Sequence, residues 1–183
     1  MDGNVYTHQL DNWNISWESK DLYRHWCHQI RNKDWDNILI VMFNPGSLSG
    51  NGENLKKDTT LRILREVCEQ ARLNPFIINL FDYASPSPND LFENWNKKDA
   101  DTLIFDRLND VNFKAYIMAY GDYENWGVKD NEIKDRALLV HSVFSNIEEI
   151  ILPKNKSGSP KHPITWQRQK LKPAIVKLLN QES

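Results

Sequence analysis

Asn37-Ile38-Leu39-Ile40-Val41-Met42-Phe43-Asn44-Pro45-Gly46-Ser47 is the stretch on which the reading of this chain turns. The apolar run Ile38 to Phe43 stops abruptly at Asn44-Pro45-Gly46. A short continuous apolar run closed by turn residues is the pattern of a strand buried on both faces, as in a parallel sheet. Ligands of such sheets bind beyond the carboxyl ends of the strands, so Asn44 is a candidate site residue. Pro45 fixes its own φ and biases Asn44 toward extended backbone, while Gly46 permits conformations closed to other residues. Such a loop can hold an amide rigidly toward a cleft, although an ordinary turn after a strand would read the same way from this stretch alone.

Working outward, Phe76 to Phe81 repeats the pattern with one polar intruder, Asn79. A lone Asn in a buried run must satisfy its amide with neighbouring backbone or with a ligand. Asp82-Tyr83-Ala84-Ser85-Pro86-Ser87-Pro88 then forms a proline-punctuated loop at the same edge as the Asn44 loop. A third strand, Ala115 to Tyr120, ends at Gly121-Asp122, and a short fourth, Glu149 to Leu152, leads into Pro153 to Pro163. Between them the spacing predicts helices. Asp58 caps one whose inward face is Leu61, Leu64, Val67, Cys68 and Ala71. Others are a short turn from Asn89 to Trp95, a helix over 98–110, and one over 130–145 with Ile133, Ala137, Val140 and Phe144 inward. The last runs from about Trp166 to Asn180, where Pro173 kinks it or marks its true start. The aromatic-rich residues 1–36 are expected to form a helical lid, from Ser19-Lys20-Asp21 to about Lys33, with Leu22, Trp26 and Ile30 as its stripe. The expected fold is a single α/β domain over 1–183, a three-layer α/β/α arrangement around a four-stranded, mainly parallel sheet.

The 183 residues suit one such domain, and no stretch approaches the ~18 apolar residues of a membrane span. The polar, acidic start MDGNVYTHQLDNW lacks the features of a leader, so a cytoplasmic location is expected. Two cysteines, Cys27 and Cys68, make no disulfide framework and read as core thiols. His25-Trp26-Cys27-His28 has no second ligand cluster to accompany it, so neither a metal nor a cofactor is expected. Charge is unevenly divided: residues 1–150 carry 16 Lys/Arg against 24 Asp/Glu, or −8, and residues 151–183 carry 7 against 1, or +6. The basic end is either a phosphate-attracting segment or a solvated helix.

Four strand ends thus carry polar or turn residues. In order and placement, Asn44-Pro45-Gly46, Asn79-Leu80, Ala119-Tyr120-Gly121 and His162-Pro163 resemble motifs of the uracil-DNA glycosylase superfamily, in particular its mismatch-specific and single-strand-selective branches. The chain is also similar, from about residue 20 to about residue 170, to a bacterial and phage family sharing the elements Asn44-Pro45-Gly46, Asn79-Leu80-Phe81 and Lys161-His162-Pro163. The resemblance implies a uracil-DNA glycosylase-like fold. It also implies a monofunctional, metal-independent DNA glycosylase that cleaves the N-glycosidic bond of a flipped-out pyrimidine, in DNA repair or anti-phage defence.

In that chemistry Asn44 and His162 are the catalytic candidates. Asn44 would orient a water toward C1′, and His162 would donate to the pyrimidine O2, worth ~3 kcal/mol. Asn79 would read the Watson–Crick edge, with Gly46, Ser47, Phe81, Asp82 and Tyr83 lining the pocket; Phe81 is equally a core residue. The small Gly46-Ser47 suggests room for a C5-modified pyrimidine. Ile164 or Trp166 would fill the gap left by the flipped base, unless Trp166 is packing at a helix end, and Lys154, Lys156, Lys161 and Arg168 would hold phosphates. A monomer acting on DNA, away from membranes, is expected. A nucleoside- or nucleotide-processing hydrolase and a non-catalytic nucleic-acid-binding module are the alternatives.

Overall fold

A computed structural model describes residues 6–10, 13–18, 23–45, 58–85, 87–95, 108, 110–122, 130–167 and 171–181. The strands among them are β1 (Tyr6–Leu10), β2 (Trp13–Glu18), β3 (Tyr23–His28), β4 (Asp36–Met42), β5 (Leu73–Asn79), β6 (Phe113–Met118) and β7 (Glu148–Glu149). The helices are α1 (Thr59–Gln70), α2 (Pro88–Asn94), α3 (Asp130–Val143) and α4 (Leu171–Gln181). A 3-10 helix spans Pro163–Gln167.

The strands form one mixed sheet in the order β1-β2-β3-β5-β4-β6-β7. β5, β4, β6 and β7 pair in parallel, and β1, β2 and β3 extend the sheet antiparallel beyond β5. The apolar run of β4 lies at the middle of the parallel part, where helices cover both faces and alternation no longer has a solvent side to serve. Ile38, Ile40 and Met42, with Ile77 and Ile117, pack beneath Leu61, Leu64 and Val67 of α1 and Ile175 and Leu179 of α4. Leu39 and Val41, with Ile78 and Met118, face Ile133, Ala137 and Val140 of α3 on the other side. Cys27 and Cys68 are both buried and form no disulfide, and burial pushes the Cys68 thiol up to about 12.

From β4 the chain passes through α1 to β5 on one side, while β6 takes the place on β4's other side. The strand order therefore reverses at β4, and a reversal of this kind opens a crevice at the carboxyl ends of the strands. Asn44 stands at that point.

The structure corrects two expectations. The sheet is seven-stranded and mixed among the described residues, not four-stranded, and the N-terminal segment is sheet, not a helical lid. The helical stripe fails because Ile30 is 44% exposed, whereas Trp13 and Cys27 enter the core beneath α1 and Trp26 packs on the opposite side. Neighbouring Trp26 and Cys27 thus point to opposite faces, as successive residues of a strand do. The last helix is also divided. Its start becomes the 3-10 turn of Pro163–Gln167, and Pro173 stands in the first turn of α4, where its missing N–H has no helical partner to lose. The helix expected over 98–110 lies outside the described residues apart from Leu108 and Asp110.

Trp166 is 0% exposed and donates Nε1–H to the Lys161 carbonyl at 3.2 Å, which makes it a core residue and not an exposed wedge. Ile164, two residues earlier, is 53% exposed. In urea unfolding, Trp166→Ala should lower stability by about 3–5 kcal/mol and Ile164→Ala by less than about 0.5 kcal/mol; similar losses at both positions would overturn this assignment.

Candidate functional site

Backbone pairing between β4 and β5 continues after both strands end. Leu80 N donates to Met42 O at 2.8 Å, Phe81 N to Phe43 O at 3.0 Å and Ser85 N to Pro45 O at 3.1 Å. Asn44 joins the same stitching, its Nδ2 donating to Pro45 O and to Ser85 O at 3.0 Å each. Both partners are carbonyls, so the amide orientation is set by chemistry: NH₂ must face them, and Oδ1 is the end left to accept. Ser85 is held in turn, its Oγ lying 2.6 Å from Ser87 O and 2.5 Å from Asp90 Oδ2.

β5 carries two buried asparagines with opposite fates. Asn74 is fully used: Oδ1 accepts from Arg31 N, and Nδ2 donates to the carbonyls of Asn32 and Trp35, all at 2.9 Å. It pins the turn that joins β3 to β4. Asn79 is 3% exposed, and neither its Oδ1 nor its Nδ2 has a hydrogen-bond partner among the described residues. It pairs with Met42 in the sheet and, two residues on from Ile77, shares the face covered by α1 and α4. Leaving a buried amide unpaired costs roughly 1–3 kcal/mol for each group, and folded proteins rarely do so.

His162 approaches from the loop after β7. Its Nδ1 accepts the Ile164 N–H at 3.2 Å, so in the neutral ring the proton sits on Nε2. Burial lowers its pKa to about 4, and the charge of Asp58 opposes that fall only in part. Asp58 is the N-cap of α1, its Oδ1 accepting from Thr60 N at 2.8 Å and Leu61 N at 3.0 Å. His162 therefore sits within reach of the amino end of α1 as a neutral hydrogen-bond donor at pH 7.

The loop ahead of it is a tight turn. Lys154 bridges to Pro160, Asn155 N donates to Ser159 O at 2.8 Å, and Gly158 adopts φ +96°, a conformation that favours glycine. Asn155 Nδ2 donates to Ser159 Oγ and Pro160 O at 3.1 Å each, and Lys161 Nζ donates to Asn155 Oδ1 at 3.3 Å. Lys154 and Lys156 are exposed on this turn.

The remaining sequence candidates divide. Gly46, Ser47 and Arg168 lie outside the described residues. Phe81 is fully buried among Phe43, Phe92 and Trp95, with ring centroids 4.9–5.4 Å away, in the core on the α2 and α3 side. It is thus on the face of the sheet opposite Asn79 and is core rather than a stacking partner. Asp82 is buried and accepts from Trp95 Nε1 at 3.3 Å. Tyr83 packs on that same side, edge-to-face with Tyr23 at 5.4 Å. Asn44 and Asn79 thus stand at the carboxyl ends of β4 and β5, and His162 lies near the amino end of α1, with Lys154, Lys156, Lys161 and Ile164 on its loop. Sequence reasoning did not single out Ser85 and read Asp58 as a helix cap. The one signal for Ser85 was its place in a proline-punctuated loop at the same edge.

The family model described as "Protein of unknown function (DUF1643)" matches residues 21–164, a span that includes Asn44, Asn79 and His162. No curated protein and no solved structure matches the chain.

The two asparagines of β5 should respond oppositely to the same isosteric change. Asn74→Leu should cost about 2 kcal/mol or more, by stranding its backbone partners, while Asn79→Leu should stabilise the fold by about 1–3 kcal/mol. Denaturant midpoints test this, and a destabilised Asn79→Leu would mean that the amide is satisfied in the free protein. The histidines set a pH dependence. His162 and His28 both have pKa values lowered by burial, so the unfolded chain takes up protons first and stability falls as pH drops below 6.5. His162 alone accounts for about 3 kcal/mol by the time the pH reaches its folded value. Glu66, held below its usual value first by its Lys172 hydrogen bond, adds its loss only under pH 4.5. Unfolding at pH 7.5 and 5 should therefore show a smaller fall for His162→Gln than for the wild type, and equal falls would overturn the assignment.

Proposed function

The chain belongs to that DUF1643 family, and on that premise we propose that it is a DNA glycosylase hydrolysing the N-glycosidic bond of a flipped-out pyrimidine on a uracil-DNA glycosylase-like, three-layer fold. The observation that carries this reading is Asn79, a buried amide at the carboxyl edge of the sheet that has no hydrogen-bond partner among the described residues. The one acceptor and two donors of an amide match the edge of a pyrimidine, with uracil and cytosine taken in opposite amide orientations.

The neighbours fit the rest of the reaction. Water oxygen attacks C1′, the C1′–N1 bond breaks, and its electron pair departs with the base while the sugar passes through an oxocarbenium-like state. Asn44 Oδ1, the free end of an amide clamped through Nδ2, suits the orientation of that water. The proton lost by the water passes to solvent, since a carboxamide is no base near neutrality. Charge gathering on the base O2 meets the Nε2–H of a neutral His162. A neutral donor suits this task because its protonation need not change during the step. Extruding the base costs a few kcal/mol, roughly. With Trp166 in the core, exposed Ile164 is the side chain that fills the gap, and Lys154, Lys156 and Lys161 attract the flanking phosphates. The protein acts in this reading as a cytoplasmic monomer that needs no metal or cofactor. The small residue types at Gly46 and Ser47 are the reason to include C5-modified and damaged pyrimidines among the candidate substrates.

An abasic-site assay with EDTA present, on DNAs carrying uracil, mismatches and C5-modified pyrimidines, tests the reading. One base should be released, with Asn44→Ala and His162→Ala slower by about 10²–10³-fold and the wild-type rate unchanged between pH 8 and 5.5. Charge reversal at Lys154 and Lys156 should weaken DNA binding and flatten its salt dependence. No abasic product on any DNA, or release from free nucleotides alone, would overturn it.

A further inference from the structure

The loop that carries His162 is joined to the sheet by a carboxylate at the end of β6. After Met118 the chain runs through Ala119 and Tyr120 to Gly121, at φ +91°, and then presents Asp122. Asp122 Oδ1 accepts from Ser159 Oγ at 2.7 Å and also from Ser157 Oγ, and the two hydroxyls stand 2.9 Å apart. Ser159 is 0% exposed, so its hydroxyl depends on protein partners in place of water. It finds them in Asp122 and in Asn155 Nδ2, the residue that closes the turn. Two residues later Lys161 gives its carbonyl to Trp166 Nε1, and His162 follows. The loop is thus held at one end by the core, through Trp166, and at the other by the two serines on Asp122.

We infer that Asp122 is a positioning residue, a latch that sets the His162 loop against the carboxyl edge of the sheet through Ser157 and Ser159. Asp122 itself is exposed and contributes nothing to the core, so its loss shifts the loop while leaving the sheet folded. Its role is geometric and not electrostatic: the groups that set the His162 pKa are its burial and Asp58. An amide oxygen at position 122 accepts from two hydroxyls as a carboxylate oxygen does. The inference takes from the proposed function only that His162 belongs to the site.

Titration of the His162 ring by NMR in the full chain reads the latch whether or not any base is released. The wild-type ring should titrate near pH 4 and Asp122→Asn should match it. Asp122→Leu and the double variant Ser157→Ala/Ser159→Ala should both move it up by about one pH unit or more, toward the 6.5 of a solvated imidazole. Thermal unfolding of each variant identifies any that has lost its fold. The double serine variant leaves the charge of Asp122 in place and so tests the latch by itself. An unchanged His162 titration in a folded Asp122→Leu or double serine variant would overturn the inference. So would an Asp122→Asn variant that behaves like Asp122→Leu, since that would mean that charge is what matters.

Discussion

The hydrogen-bond ladder between β4 and β5 outlasts the strands, and the rest of the carboxyl edge depends on that continuation. Leu80 and Phe81 still donate to Met42 and Phe43, and Ser85 to Pro45. Two loops that would otherwise be separate surface connections become one backbone lattice. Asn44 is a side-chain member of it, giving both amide protons to backbone carbonyls. The lattice exists because β4 is central, with β5 and β6 paired in parallel on either side, and because its apolar run leaves neither face to water. Support also comes from below the sheet. Buried Arg136 of α3 donates Nε–H to the Leu80 carbonyl at 2.8 Å, and its guanidinium carbon lies 5.1 Å from the Trp95 ring centroid. The Leu80–Phe81 peptide is therefore gripped from the face opposite to the one that carries Asn79.

The three groups at the edge share an electrostatic character. Asn44, Asn79 and the neutral ring of His162 are dipoles, and fixed dipoles need little rearrangement when charge develops near them. Lys154 and Lys156 stand exposed on the turn ahead of His162, and Asp58 caps the amino end of α1. Burial keeps the His162 ring neutral from alkaline pH down to about 4.

Much of this edge could be read from sequence, for a physical reason: buried strands leave long apolar runs, and a polar residue inside or just after one is conspicuous. Asn44, Asn79 and the helical face of Leu61, Leu64 and Val67 all stood out in that way. The N-terminal hairpin did not. Tyr23 to His28 alternates faces with polar and aromatic residues on both, and a chance spacing of Leu22, Trp26 and Ile30 imitates a helical stripe. Asp11-Asn12, a pair of turn-forming types between Leu10 and its sheet partner Trp13, was the signal available for a hairpin. Trp166 and Phe81 show the other limit. Next to a site motif, an aromatic residue reads equally as a ligand contact or as core, and only its placement in three dimensions separates the two. Ser159 and Asp122 are far apart in sequence, and no local pattern announces that one satisfies the other.

Asn79 also bears on how this chain would change over generations. Mutation supplies destabilising changes in abundance, and folds persist just above the stability that their function demands. A buried amide without a partner is one of the few positions where replacement by an aliphatic residue is a gain for folding. Under selection for folding alone, position 79 would be among the first to turn apolar. An Asn held there across diverging lineages would record a selective pressure exerted by something other than the fold, and the lineages that had lost it would be those in which that pressure had ceased.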